Sequence, residues 1–190
     1  MGNKAEALRQ RIVIAADQLF YHQGYESTSF TDIANAVNIS RGNFYYHFKT
    51  KDEILTAVIN HRTEHYQLML RQWEEDYSQP KQRILLYLNI LTTNQDSIKN
   101  HGCPVGSLCT EMAKVRHTIL HDASQVLVQS RDWLSRQFEQ LGLNQPIPLA
   151  MHLLARIQGI ATITNAFEDK EFLCQEVKKL IAWLDDICPT

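Results

Sequence analysis

Residues 24–55 read GYESTSFTDIANAVNISRGNFYYHFKTKDEIL and decide the fold of the first part of the chain. Ser29-x-x-Asp32 is a capping-box pattern that predicts the start of a short helix ending near Val37. Asn38 follows, and asparagine tolerates the left-handed backbone of a tight turn. Ser40 is a second N-cap, for a helix over 41–48. The stretch predicts two short helices joined by a turn of about three residues, which is a helix-turn-helix.

The flanking sequence extends this pattern to an all-α chain of about nine helices. Helix 1 carries an apolar stripe and ends at Gly24, and Thr50-x-x-Glu53 opens a fourth helix that ends near Tyr77. The members of the stripe are Leu8, Ile12, Ala15, Ala16, Leu19 and Phe20. Five further helices are predicted over 81–99, 104–114, 118–141, 148–167 and 170–187. We divide the chain into a helix-turn-helix domain, 1–50, and a ligand-binding and dimerisation domain, 51–190.

Composition places the chain among ordinary globular proteins. Of 190 residues, 44% are hydrophobic and 21% are charged, which excludes disordered and collagen-like chains. Seven glycines and five prolines are few turn formers, which favours long helices. The net charge is −2, divided into +2 over residues 1–51 and −4 over the remainder. This weak asymmetry permits a DNA-facing N-terminal part without requiring one.

The cysteines and the apolar segments bear on location. Four cysteines form no C-x-x-C pair and are too sparse for a disulfide framework, so we expect a reduced, cytoplasmic setting. The first residues lack the apolar core of a signal peptide. The longest apolar stretch, 147–163, is shorter than the ~20 residues of a membrane span and contains His152 and Arg156. We therefore predict a buried helix there and no membrane partner.

The third helix has two faces of different character. Phe44 and Phe48 are four residues apart and are expected to pack on Leu19, Phe20 and Ile33. On the other side lie Gly42, Tyr45 and Tyr46, with Arg41 near the N-terminus of the helix. Glycine permits close approach to a major groove, and an arginine can discriminate guanine by ~1–3 kcal/mol. Either tyrosine can touch a thymine methyl group or a phosphate.

This segment closely resembles the DNA-binding signature of the TetR family of bacterial transcriptional regulators. About 50 residues carry the resemblance, and the remainder of the chain matches only in length and helix count. The matching residues are Gly24, Thr28, Asp32, Ile33, Ala34, Ile39, Ser40, Gly42, Tyr45, Tyr46, His47, Phe48, Lys49 and Lys51. The resemblance implies a homodimeric repressor that binds palindromic double-stranded operator DNA, is released by a small-molecule effector, and needs no cofactor or metal.

The DNA-binding residues follow from that resemblance together with the faces of the third helix. Ser40, Thr28, His47 and Lys51 match positions that anchor phosphates in the family. The full predicted set is Thr28, Ser29, Ser40, Arg41, Gly42, Asn43, Tyr45, Tyr46, His47 and Lys51. Because helix 4 begins at this corner and continues into the second half, we hypothesise that an effector acts by favouring splayed fourth helices.

The eighth and ninth predicted helices, 148–167 and 170–187, carry the predicted dimer interface. Their apolar stripes suit a four-helix contact between two subunits. The interface residues are Leu153, Ile157, Ile160, Leu173, Val177, Leu180 and Leu184. The alternative is that both stripes face the core of their own subunit. For helix 8 we favour neither interpretation over the other, and for helix 9 we favour the interface.

An effector pocket is expected among helices 4 to 8, apolar with a few polar groups. The candidates are Tyr66, Trp73, Tyr87, Cys103, Cys109, Met112, Trp133, His152 and Arg156. Each could instead be an ordinary core or surface residue. Arg156, if buried in an apolar helix, would need an anionic partner from the protein, the other subunit or a ligand.

Cys103 has a more specific context. With Pro104 at the first helical position, Cys103 becomes the N-cap, where the helix dipole stabilises a thiolate. The segment resembles a TetR subgroup with a reactive cysteine, which suggests an apolar or electrophilic effector. The alternative is a small apolar residue at a packed helix start. Cys109 lies about 9 Å further along such a helix, beyond the ~7 Å limit for a disulfide.

Two other classes of function, a zinc-dependent hydrolase and a helical adaptor, are alternatives to a DNA-binding regulator. His61-x-x-Glu64-His65 matches the H-x-x-E-H pattern of a zinc-dependent hydrolase, in which the histidines share a metal. The sequence offers no third ligand in a matching context, so we expect no catalytic residues and no enzyme. A non-DNA-binding helical adaptor would use the amphipathic helices for protein contacts. Salt-dependent DNA binding separates the regulator from the adaptor.

Overall fold

The computed structural model describes residues 2–114 and 119–188, and throughout these ranges the regular elements are α-helices. Eleven helical segments are present there. They are α1 Gly2–Gln23, α2 Phe30–Ala36, α3 Arg41–His47, α4 Lys51–Asp76, α5 Pro80–Thr93, α6 Gln95–His101, α7 Pro104–Lys114, α8 Leu120–Ala123, α9 Gln125–Gln140, α10 Pro146–Phe167 and α11 Lys170–Ile187. The all-α class predicted from the sequence is confirmed.

The difference from nine predicted helices arises because two of them are divided. The segment 81–99 is interrupted at Asn94, whose side-chain amide donates to the carbonyl of Ile90 at 2.8 Å and closes α5. The segment 118–141 is interrupted at Ser124, and its predicted start lies outside the described residues. α10 begins at Pro146 rather than 148, because proline is suited to the first turn of a helix.

The predicted caps of the helix-turn-helix are present. Ser29 and Asp32 form the reciprocal capping box of α2, and the Ser40 side chain accepts a hydrogen bond from the Asn43 N–H at the start of α3. Gly24 (φ 89°) and Asn38 (φ 56°) adopt the left-handed backbone that ends one helix and forms the turn before the next. Short-range polar contacts therefore fix the boundaries of α1, α2 and α3.

The chain divides into two compact units. The first contains the residues up to His65 together with Ser107–Ser124, and the second contains Tyr66–Gly106 and the residues from Gln125 onward. α4 and α7 each contribute residues to both units. The functional division after residue 50 stays a prediction.

The first unit is held by an apolar core that includes α3. Phe44 and Phe48 are fully buried in it with Phe20 and Ile33, as predicted, and Leu19 packs against its edge. Burying two aromatic side chains contributes about 1.5–3 kcal/mol each. The buried face of α3 thereby fixes which residues α3 presents to solvent.

The second unit has a separate core in which α10 packs against α9 and α11. All seven residues predicted for the dimer interface lie inside this core, and none is more than 7% exposed. They are Leu153, Ile157, Ile160, Leu173, Val177, Leu180 and Leu184. This corrects the prediction, because a side chain buried in its own subunit has no surface left for a partner. The alternative, that both stripes face their own core, describes the structure.

Candidate functional site

The outer face of α3 is exposed as the sequence predicts. Tyr46 is 74% exposed and Tyr45 is 45% exposed, whereas the Phe44 side chain on the opposite face of α3 is fully buried. Gly42 is also exposed, and a Cβ added to it would meet only the Ser40 hydroxyl, at 4.0 Å. We call Gly42, Tyr45 and Tyr46 the tyrosine face. It offers two aromatic hydroxyls beside a backbone position without a side chain, and such a surface can approach the major groove of DNA closely.

Arg41 is exposed at the start of α3, and its guanidinium is held in place. Nη2 donates a hydrogen bond to the hydroxyl oxygen of Thr31, at 2.6 Å. Asn43 donates its backbone N–H to the Ser40 hydroxyl at 3.3 Å, so Ser40 serves as the cap. Both Ser40 and Asn43 have exposed side chains. The positive end of α3 thus lies beside three exposed polar side chains, an arrangement suited to phosphate.

Thr28 requires a correction. It is only 2% exposed, and its hydroxyl donates to the carbonyl oxygen of Gly24 at 2.7 Å and accepts from the Gln23 side-chain amide at 3.2 Å. The hydroxyl therefore holds the turn after α1 and does not face solvent as a phosphate contact would. The burial of Thr28 could not be predicted from the sequence, because threonine occurs at both buried and exposed positions of such turns.

The other predicted anchors lie at or near the surface. Lys51 donates from Nζ to the carbonyl oxygen of Glu26 at 3.1 Å, and the same nitrogen lies 4.3 Å from the centre of the Tyr25 ring. His47 is half-buried with its ring 5.3 Å from that of Tyr46. Ser29 is exposed. Of these side chains, His47 lies directly beside a tyrosine of α3.

The Ser29 cap also sets the charge state of its partner. The Ser29 hydroxyl donates to Asp32 Oδ2 at 2.6 Å and the Ser29 backbone N–H donates to the same oxygen at 2.8 Å. Both hydrogen bonds lower the pKa of Asp32. The carboxylate stays ionised at the N-terminus of α2, where it stabilises the positive end of the helix.

Five of the predicted effector residues come together in the core of the second unit. Tyr66 and Ser130 share a hydrogen bond of 2.6 Å, and the Trp133 ring lies 6.0 Å from the centres of both Trp73 and Tyr87. Cys103 packs against the same core. We call Tyr66, Trp73, Tyr87, Cys103, Ser130 and Trp133 the aromatic cluster. Burial raises the pKa of both tyrosines, so their hydroxyls are neutral at physiological pH.

The remaining four predicted effector residues lie elsewhere. Met112 is buried in the core of the first unit, and Cys109 packs at its edge with its thiol donating to the carbonyl oxygen of Ala123. His152 is exposed on α10, with its ring 5.0 Å from Trp183. Arg156 is exposed rather than buried, and its anionic partner is Glu176 of α11, at 3.1 Å. The ion pair removes the need for an anionic ligand at this position.

A cleft between α4 and α9 adds residues that the sequence did not single out. Its volume is about 290 Å³, and of the predicted effector residues only Trp133 lines it. The other lining residues are Gln67, Leu70, Arg71, Glu74, Gln129, Asp132 and Arg136. Most are charged or polar. Their spacing of three and four along each helix is the signal that they share one face.

The histidine pattern on α4 has ordinary contacts. The His61 and His65 rings are 6.5 Å apart, and the His61 Nδ1 lies 3.2 Å from the Gln10 side-chain amide. Within residues 2–114 and 119–188, no group of three or more metal-ligating His, Cys, Asp or Glu side chains occurs. Glu64 is exposed.

In the described part of the chain, α10 alone is long and apolar enough to cross a membrane by length and composition. One side of α10 packs in the core of the second unit, through residues such as Leu153 and Ala161. A core helix of a globular protein has this same length and composition.

Comparisons with known proteins agree with the geometry of α1 to α4. Residues 12–58 match the sequence model of the family described as bacterial regulatory proteins, tetR family. A helix-turn-helix transcriptional regulator from the lacX 3′ region of Lactococcus lactis is 28% identical over 171 residues, covering 87% of each chain. The regulator TtgR of Pseudomonas putida is 24% identical over 192 residues, covering 96% of this chain and 90% of TtgR.

The similarity extends to a solved structure over nearly the whole chain. A TetR transcriptional regulator from Legionella pneumophila superposes with a TM-score of 0.81 at 26% identity, covering 91% of this chain and 94% of that one. The sequence match at the helix-turn-helix and the structural match across both units lead to one assignment. The chain belongs to the TetR family of bacterial regulatory proteins.

Proposed function

We propose that this protein is a cytoplasmic repressor that binds a palindromic operator as a homodimer and is released by a small apolar or electrophilic effector. It carries out no catalysis and uses no metal or cofactor. One observation carries the proposal: Tyr45 and Tyr46 are exposed on α3 while Phe44 and Phe48 anchor α3 in the core. Large exposed aromatic residues on a helix that begins with an exposed arginine suit DNA recognition.

In this proposal α3 enters the major groove. Arg41 donates to the acceptor edge of a guanine, and Tyr45 or Tyr46 contacts a thymine methyl group or a phosphate. Ser40, Asn43, His47 and Lys51 contact phosphates around the groove. Ser29 keeps its capping role, so its neighbouring backbone N–H groups at the start of α2 face the DNA.

The proposed dimer uses the outer side of α10 in place of the buried stripe. Ile147, Met151, Ile163 and Phe167 are exposed large apolar residues on this helix. Arg156 is the only charged residue between positions 147 and 167, and Glu176 neutralises it. An exposed helix face with this composition is typical of a subunit interface. To read a palindromic operator, the two α3 helices of the dimer need to lie about 34–36 Å apart, one turn of DNA.

The proposed effector site is the aromatic cluster, reached from the cleft that shares Trp133 with it. The cluster combines buried rings with two neutral tyrosine hydroxyls and a thiol, and apolar pockets with a few polar groups suit small molecules. Cys103 caps α7 by accepting the Gly106 N–H at 3.4 Å. An effector that binds or alkylates here would favour a conformation without operator affinity.

The experiment is selection of bound fragments from sheared genomic DNA by the purified protein, followed by sequencing. The proposal predicts enrichment of a few fragments that share a palindrome, with binding that weakens steeply between about 50 and 200 mM salt. Enrichment without a shared sequence would reject the operator proposal. Near-stoichiometric zinc in the purified protein would favour the hydrolase alternative through His61 and His65.

A further inference from the structure

Glu111 on α7 holds the turn between α1 and α2 with both oxygens of its carboxylate. Oε2 accepts the backbone N–H of Tyr25 at 3.0 Å, and Oε1 accepts the backbone N–H of Glu26 at 2.8 Å. A Cβ on Gly24 would lie 3.3 Å from Oε1, so the glycine permits this close approach as well as its φ of 89°. Hydrogen bonds to an ionised carboxylate are stronger than neutral ones.

The same turn is held from α4. The Tyr25 hydroxyl donates to Asp52 Oδ1 at 2.7 Å, and Lys51 donates to the Glu26 carbonyl oxygen. Tyr25 itself is buried. This turn ends three residues before Ser29, the N-cap of α2, so the anchors on the turn hold the chain that leads into α2. The position of α2 in turn sets that of α3, because the rings of Phe30 on α2 and Phe44 on α3 pack 5.2 Å apart.

α7 extends from the effector residues to this turn. Its N-cap is Cys103 of the aromatic cluster, and its residues from Ser107 onward belong to the first unit, which contains the helix-turn-helix. Glu111 lies eight residues, about 12 Å along a helix, beyond Cys103. Glu111 therefore lies in the part of α7 that belongs to the same compact unit as the turn it holds.

We propose that Glu111 is a positioning residue for DNA recognition, which orders the turn before α2 and thereby sets the orientation of α3. The proposal rests on the proposed function as a DNA-binding regulator. Glu111 does not touch DNA in this account. It orders the Tyr25 and Glu26 amides, and loss of its two hydrogen bonds leaves the helix-turn-helix folded and less well oriented.

The test is Glu111→Gln, which keeps the size of the side chain and replaces one accepting oxygen by a donor. Operator affinity is expected to fall about tenfold, the effect of losing one charge-assisted hydrogen bond. A fall in operator affinity is informative, because the removal of a negative charge by itself strengthens binding to DNA. Glu6→Gln, on the exposed side of α1, makes the same charge change and should bind at least as tightly as wild type.

A second readout separates positioning from general stability. Amide hydrogen exchange followed by NMR should be faster at Tyr25 and Glu26 in E111Q, and unchanged at Phe44 in the core. Wild-type affinity in E111Q, or unchanged exchange at both amides, would overturn the proposal. If E111Q does not fold, Glu111→Asp keeps the charge but is one methylene shorter, and it should show the same two losses. Wild-type behaviour of E111D would overturn the proposal equally.

The two proposals fail in different ways. If the wild-type protein binds no specific DNA, the proposed function fails, and the exchange of the two amides still reports whether Glu111 orders the turn. If the wild type binds and E111Q binds equally well, the operator proposal stands and the role of Glu111 is rejected.

Discussion

Arg41 donates a hydrogen bond from its guanidinium Nη2 to the hydroxyl oxygen of Thr31 at 2.6 Å, which links the first turn of α3 to the first turn of α2. Arginine side chains lose considerable rotamer entropy when they bind. A side chain already held near its working direction loses less, so this contact prepares Arg41 to meet a base edge.

Thr31→Val removes the acceptor and keeps the shape of the side chain. We expect operator affinity to fall about threefold, because this hydrogen bond from the charged guanidinium is exposed and water can replace it, with non-specific DNA binding unchanged. Fluorescence anisotropy with operator and scrambled duplexes measures both. Thr56→Val, on the exposed side of α4, is the matched control. Equal effects of T31V on the two duplexes would contradict a role in base reading.

Cys103 gives a prediction for the effector response. N-ethylmaleimide should weaken operator binding by wild type, because an adduct at the α7 N-cap displaces the Gly106 contact and enters the aromatic cluster. Cys103→Ser should bind DNA normally and resist the reagent. Cys174→Ser, which removes another half-buried thiol, should remain sensitive. Release of C103S by the reagent to the same extent as wild type would eliminate Cys103 as the sensor.

Asp32 gives a pH dependence. Its pKa in the folded protein is lowered by the Ser29 side chain and backbone, so its ionised form stabilises the fold at pH values above the ordinary carboxyl pKa. That contribution disappears as the pH falls through the lowered folded pKa. Ser29→Ala should raise the pKa of Asp32 in an NMR titration and cost about 1 kcal/mol as a lost N-cap.

Asp96 serves as the internal control for that titration. Its pKa is lowered by a hydrogen bond from Lys170, far from Ser29 along the chain, and it should not change in S29A. An unchanged pKa of Asp32 in the variant would mean that the Ser29 hydroxyl does not set its charge state.

Arg83 is a buried cation in the second unit. Its guanidinium donates to the Tyr77 carbonyl oxygen at 2.7 Å and to the side-chain oxygens of Gln137 and Gln140 at 3.0 Å each. Arg83→Met leaves these acceptors unsatisfied, and urea denaturation should show a loss of about 2–4 kcal/mol. Arg131→Met, which breaks only an exposed pair with Asp132, should cost no more than about 1 kcal/mol. Equal losses in both variants would contradict the structural role of Arg83.

The sequence predicted those parts of the structure that short-range contacts determine. Ser29 bonds to a residue three positions away, Gly24 and Asn38 adopt conformations set by their own backbone, and the face of Phe44 follows from helical spacing. The exposed tyrosine face of α3 was predicted for the same reason. The residues that make each of these contacts lie within one or two helical turns of each other. Their pattern is therefore visible in a single sequence.

Long-range features could not be predicted in this way. Glu111 contacts Tyr25 across 86 positions, and nothing near either residue marks the other. An apolar stripe such as Val177 and Leu184 reads the same whether it faces its own core or a partner, and the structure places it in the core. The sequence left open whether Arg156 is buried or exposed. The structure places it on the exposed side of α10, where it forms an ion pair with Glu176.

The central claim, sequence-specific DNA binding through α3, is tested most directly by a mobility shift of wild type and Tyr46→Ala on the selected operator, at about 50 and 200 mM salt. Tyr46 is outside the core, so the variant should melt as wild type does. Tyr77→Ala, at an exposed tyrosine after α4, is the control. If α3 recognises the operator, wild type and Y77A bind it tightly and in a salt-sensitive way, and Y46A does not. Equal binding by Y46A and wild type would contradict the central claim.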